Sequence, residues 1–161
     1  MTRPTIYLAL YKGRKSIKRP YDLIARFSDW LTRLLTAGPY SHCEISIQRS
    51  DGLLDCYSSS IRDGGVRCKT MPLPSEKWDL IPLPSDIAAH TRLQFVFSCT
   101  RGRGYDWLGA VGVIVGTRHR RNKWFCSEWC AYALGHTAPH HYSPNSLAKL
   151  QSALAPITHG Q

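Results

Sequence analysis

Acidic residues are scarce in this chain: 11 Asp and Glu stand against 21 Lys and Arg, leaving a formal charge of +10. An excess of that size favours anionic partners such as nucleic acid, acidic lipid or an anionic cell-wall polymer, and it also serves as a solubilising surface. Long apolar runs are missing too. Thr5–Tyr11 is too short to cross a bilayer, and the other candidate, Trp107–Gly116, is ten residues with three glycines among them, so no transmembrane segment is expected. No secretory leader precedes the first strand-like segment, and none of the six cysteines forms a Cys-x-x-Cys pair. Both features point to a cytoplasmic chain with reduced thiols. Repeats and low-complexity segments are absent. Gly64-Gly65 is followed by neither Lys-Ser/Thr nor a helix, so it is no phosphate loop, and no Rossmann or Walker pattern occurs elsewhere.

What is present suits one folded domain. The 161 residues are 43% hydrophobic, with five Trp and eight Tyr, enough for a single substantial core over 1–161. Thr5–Tyr11 reads as a strand, and Tyr21–Leu35 as an amphipathic helix, because Leu23, Ile24, Phe27, Trp30, Leu31 and Leu34 recur at spacings of three and four. Residues 40–48 alternate: Cys43, Ile45 and Ile47 share one face, His42, Glu44, Ser46 and Gln48 the other. Ser50-Asp51-Gly52 signals a tight turn, so Leu53–Ile61 should return antiparallel. Strands are expected over Val66–Thr70 and Trp78–Leu83. Residues 86–99 look helical, although Phe95-Val96-Phe97 also suits a strand, and helices are expected over Tyr105–Val115, after Phe125 and from Ser143. The order gives an α+β fold, an antiparallel sheet packed against helices.

The chemistry centres on Cys126. Ser127 and Glu128 suit the first turn of a helix, and Gly135 the position just past its end. A cysteine at that entrance faces unbonded backbone N–H groups and the positive end of the helix dipole, which favour thiolate, the nucleophilic form. His42, far upstream on a strand, supplies a base that meets the cysteine only in the fold. A third polar group is needed to orient the imidazole. With Asp51-Gly52 as a two-residue loop, Glu44 lies opposite Ser59. With Ser50-Asp51 as the loop, Ser59 lies opposite His42. Glu44 shares the face of His42 in either register, which makes it the first candidate and Ser59 the second; Asp55 lies farther along the ladder. Cys130 shares the helical face of Cys126 and suits a buried small hydrophobe. A zinc array of Cys126, Cys130, His136 and His140 has too short a central spacer and would need the helix to end early, so neither metal nor cofactor is expected.

Several short motifs occur in a telling order: Tyr40-Ser41-His42, Asp63-Gly64-Gly65-Val66, Lys77-Trp78-Asp79, Tyr105-Asp106-Trp107, Phe125-Cys126-Ser127-Glu128 and Tyr142-Ser143-Pro144-Asn145-Ser146-Leu147. Together, across roughly residues 5–150, they resemble the circularly permuted branch of the NlpC-type cysteine peptidases, a papain-like superfamily in which the histidine strand precedes the cysteine helix. The resemblance implies a permuted papain-like fold, a nucleophile at Cys126 and a base at His42. It implies a third polar residue from the strand after the histidine strand, which favours Ser59 over Glu44, although that strand carries no His, Asn or Gln. Tyr40, Ser127 and Tyr105, within these motifs, are expected to contact substrate. Relatives cleave peptide or amide bonds in bacterial cell walls or move acyl groups on lipids. Small leaderless versions occur in bacteriophage genomes, some as virion proteins, so packaging in a virion is the alternative location. Two rival functions follow: a virion structural or connector protein with little catalysis, and a nucleic-acid-binding module using Lys12, Arg14, Lys15, Lys18 and Arg19 with Arg118, Arg120, Arg121 and Lys123.

Overall fold

The structure, a computed structural model, describes residues 4–13, 33, 37–106 and 123–154. The helix expected over 21–35, the segment 107–115, and nearly all of both basic clusters lie outside the described residues. Strands β1 (Ile6–Tyr11), β2 (His42–Gln48), β3 (Leu54–Ser60), β4 (Gly65–Met71), β5 (Trp78–Leu83), β6 (Gly104–Tyr105) and β7 (Lys123–Trp124) form one mixed sheet. Its order is β5-β1-β2-β3-β4-β6-β7. All pairings are antiparallel except β6 with β7, which is parallel. The helices among the described residues are α1 (Ile87–Thr100), α2 (Cys126–Leu134) and α3 (Pro144–Leu154), with a short 3-10 turn at Pro139–His141. The architecture is α+β. No helix among them is long and apolar enough to cross a membrane.

Alternation decides the faces. In β1, Ile6, Leu8 and Leu10 pair with Ile47, Ile45 and Cys43 of β2 and with Leu83, Ile81 and Asp79 of β5, so one sheet face carries the aliphatic core. Helix α2 packs over β2 and β3, α3 over β1 and β5, and α1 against α2 and β4. Leu8, Leu10, Trp129 and Leu147 are wholly buried there, each aliphatic side chain contributing roughly 1.5–3 kcal/mol. Pro82 sits in β5, at the sheet edge, where its missing N–H breaks no ladder. Phe95-Val96-Phe97 belongs to α1, which starts where the Asp86 carboxylate accepts the Ala89 N–H at 2.7 Å.

Two expectations need correction. The β2–β3 hairpin turns through three residues, Ser50, Asp51 and Gly52. The Arg49 N–H donates to the Leu53 carbonyl at 2.9 Å, Gly52 has φ 81°, and the paired positions are Gln48 with Leu54 and Ile45 with Tyr57. A three-residue loop closed by a left-handed glycine is a favoured alternative to the two-residue turn. It shifts the register by one from both expected pairings and turns every side chain of β3 to the other face. Tyr105, expected to open a helix, lies instead in β6, paired with Trp124, and its N–H donates to Gly64 O at 3.1 Å.

Candidate active site

Helix α2 brings its first residue to the start of β2. Phe125 is extended, at φ −100° and ψ 166°, and the Glu128 carboxylate accepts its N–H at 3.4 Å, which fixes where the helix begins. Gly135 closes the other end in the left-handed region at φ 92°. Cys126 therefore stands at the entrance, 5% exposed. Its sulfur interacts with the imidazole of His42 and with the thiol of Cys43, adjacent residues at the start of β2. The Cys43 thiol donating to it, opposed by burial and joined by the charge of His42, holds Cys126 well below the ordinary thiol range. Burial works against a charged His42, yet Cys126 and Glu44 together raise its pKa to about 9. Both shifts favour the thiolate–imidazolium form of the pair.

Glu44 holds the imidazole from the other side. His42 Nε2 lies 2.9 Å from Glu44 Oε1, which leaves Nδ1 as the ring nitrogen for the sulfur. Glu44 is 1% exposed, and an isolated carboxylate so deeply buried would stay protonated. Arg67 prevents this with a forked contact, Nη2 to Oε1 at 2.8 Å and Nη1 to Oε2 at 3.0 Å. Burial pushes Glu44 up, but the bonds from His42 and Arg67 dominate and bring it down to about 2. Arg67 in turn donates through Nε to Asp63 Oδ2 at 2.8 Å and through Nη1 to the Cys56 carbonyl at 3.1 Å, and Lys69 also bonds Asp63. Charges therefore alternate from Cys126 through His42, Glu44, Arg67 and Asp63 to Lys69 at the surface. Geometry separates this network from ordinary surface pairs: the Glu44 and Arg67 side chains are 2% and 15% exposed, whereas Arg49 and Asp51 are both 45% exposed. Pairs of the second kind contribute about 0–1 kcal/mol. Breaking one of the first costs about 3–5 kcal/mol.

The remaining expected residues fall differently. Ser59 does not reach His42: the register puts it on the core face opposite Val66, and its hydroxyl donates to the Trp124 carbonyl at 2.7 Å. It anchors the chain that enters α2. Asp55 is held by Thr70 at 2.6 Å, away from the imidazole. Ser127 is 1% exposed and donates its hydroxyl to Tyr142 O at 2.7 Å, so its side chain is committed to the fold. Tyr40 donates its hydroxyl to Asp79 Oδ2 at 2.8 Å; burial, reinforced by Asp79, pushes that phenol up to about 12. Tyr105 is half-buried in β6, beside the strand that leads to Phe125. Cys130 is buried one turn into α2, its sulfur 3.7 Å from the Cys43 carbonyl.

The sequence assigned no place in the site to Arg67, Cys43 or Trp78, although Trp78 lies within the Lys77-Trp78-Asp79 motif. Trp78 packs near the imidazole, ring centroids 6.4 Å apart, and against Tyr11 at 5.1 Å. Once β3 and β4 are aligned, the Ser58–Arg67 pairing puts Arg67 on the face of Glu44. No composition cue marks it. Among the described residues no group of three or more His, Cys, Asp and Glu side chains is arranged to hold a metal ion. No protein-family model, curated protein or solved structure matches this chain.

Proposed function

We propose that this protein is a thiol-dependent hydrolase of amide or peptide bonds, with a permuted papain-like fold, working through a thioester at Cys126. The observation that carries the reading is the Cys126–His42 contact at a helix entrance, with His42 Nε2 held at 2.9 Å by the buried Glu44. Nucleophile, base and orienting carboxylate are the three parts such chemistry needs. The thiolate of Cys126 attacks the carbonyl carbon, and the oxyanion that forms is met by backbone N–H groups of the first turn of α2. Imidazolium His42 gives its proton to the leaving amine, a thioester remains, and neutral His42 then takes a proton from the water that cleaves it. Glu44 keeps Nε2 engaged throughout, so Nδ1 stays turned to the reaction. The peptide cross-bridges of bacterial cell wall are the first substrates to try, because the motif order resembles peptidases acting there.

The test is replacement of Cys126 by Ala, with turnover of fragmented cell wall and intact-mass detection of an acyl adduct as readouts. Wild type should gain an adduct at Cys126 and the variant should neither gain one nor turn over. A variant as active as wild type overturns the mechanism. A wild-type thiol that also resists iodoacetamide near neutral pH would favour a virion structural role over catalysis.

A further inference from the structure

The mechanism uses one sulfur, yet three lie together. Cys43 follows His42 on β2 and is wholly buried, as is Cys130, while Cys126 keeps 5% exposure. The thiol of Cys43 interacts with the sulfurs of Cys126 and Cys130, and the Cys130 sulfur lies 3.7 Å from the Cys43 carbonyl, so this turn of α2 rests directly on Cys43. All six cysteines are free. A thiolate nucleophile in contact with a second thiol is the arrangement in which a sulfenic acid is captured before it oxidises further.

We propose that Cys43 is the resolving thiol of Cys126: on exposure to a hydroperoxide, the two close a reversible disulfide that silences the site and shields its sulfur from irreversible oxidation. This rests on the nucleophile reading of Cys126. The Cys126 thiolate attacks one oxygen of hydrogen peroxide, giving a sulfenic acid and hydroxide. Cys43 then attacks the sulfenic sulfur, the S–O bond breaks, and the Cys43 proton and the leaving hydroxyl depart as water. Peroxide is reduced and the two thiols are oxidised by one electron each. A dithiol reductant reverses the bridge by exchange.

Cys43 is the partner rather than Cys130 for a geometric reason. Residues four apart on a helix hold their Cβ atoms about 5–6 Å apart, whereas a disulfide needs about 3.5–4.5 Å. Cys43 approaches from a different element. Its thiol is held protonated by burial first and then by the neighbouring sulfurs. Turning Cys126 into a neutral sulfenic acid removes the negative charge beside it, so Cys43 becomes a better nucleophile at the step that needs one.

The experiment treats the full reduced chain with equimolar hydrogen peroxide, blocks free thiols under denaturing conditions, and maps peptides after combined cleavage at Lys, Arg and Glu. Glu128 stands between Cys126 and Cys130, so the cut there separates them. Wild type should lose about 2 Da and yield a Cys43–Cys126 linked pair that a dithiol removes. Cys43→Ser should give no link and instead accumulate sulfinic acid at Cys126. Wild-type Cys126 reaching sulfinic acid with no link to Cys43 overturns the proposal and leaves the nucleophile reading standing, as does a bridge to Cys130. A Cys126 inert to both peroxide and iodoacetamide overturns both readings. Because the wild-type map decides alone, a poorly folding variant leaves the outcome intact.

Discussion

Glu44 is the residue on which the candidate site turns, because it bonds the imidazole and a guanidinium at once. Its folded pKa is about 2 against an ordinary 4.5, so between those values the unfolded chain binds more protons than the folded one. The stability it contributes is complete above about pH 4.5 and is lost as pH falls toward 2. Glu44→Gln should lower unfolding free energy by about 3–5 kcal/mol, read by urea titration at pH 7, since it strands the buried fork of Arg67, and it should flatten the acid limb. The same substitution tests the role in catalysis. Turnover needs imidazolium His42 to protonate the leaving group, so the wild-type rate should fall as pH rises through about 9. Glu44 is one of the groups that raise His42, so in the variant that fall should begin at lower pH, with kcat/KM down about 100-fold. An unmoved alkaline limb in a folded variant would make Glu44 a purely structural residue. The pairing of Glu44 with His42 was legible because residues two apart on a strand share a face whatever the register. Arg67 was not, since its approach depends on two hairpin registers in succession. Ser59 was misplaced for the same reason: one extra residue in the Ser50–Gly52 turn exchanges the faces of β3.

At the scale of the element, α2 carries the clearest sequence signal in the chain. The Glu128 bond to the Phe125 N–H and the closing glycine mark its two ends locally, and local bonds are what a sequence displays directly. The first turn also stores a cost. Burial pushes Glu128 up to about 8, with the Phe125 N–H opposing and the Asp106 carboxylate adding to the rise. A carboxyl raised in the fold binds more protons folded than unfolded, so stability should decline as pH rises from about 4.5 to about 8. That window lies above the one governed by Glu44. Glu128→Gln keeps an oxygen to accept the Phe125 N–H and removes the titration. It should leave Tm nearly unchanged near pH 5 and make the variant the more stable protein at pH 8, as read by thermal unfolding across that range. A parallel pH dependence in wild type and variant would show that Glu128 is ionised throughout. At the other end, Gly135 holds φ at 92°, in the left-handed region that residues with a Cβ rarely adopt, so the helix ends there rather than lengthening toward His136. That is why the Cys126–His140 spacing yields an ordinary helix followed by a turn.

At the scale of the whole molecule, the candidate site depends on joining residues at opposite ends of the chain. Asn145, in the first turn of α3, accepts the Tyr40 N–H at 3.0 Å and donates to the Tyr40 carbonyl at 2.9 Å. Tyr40 stands two residues before His42, and Ser127 is tied to Tyr142 just ahead of α3. One short segment therefore braces both the histidine strand and the cysteine helix. The Ser-Pro-Asn-Ser run was visible in the sequence as a helix start. Its contact across 105 residues with Tyr40 was not, because nothing local encodes a long-range backbone clasp. The clasp also needs Gly38: a Cβ there would fall 2.2 Å from Asn145 Oδ1. Asn145→Ala should cost about 1–3 kcal/mol by leaving half-buried backbone groups of Tyr40 without that partner. It should also slow iodoacetamide alkylation of Cys126 several-fold near neutral pH, because a loosened His42 supports the thiolate less well. Gly38→Ala should reproduce both effects through steric displacement of the same side chain. If the clasp is the shared cause, the double variant should be little worse than either single one. Additive losses would mean that Gly38 and Asn145 act independently, and an unchanged alkylation rate would mean that α3 braces the fold without positioning the histidine.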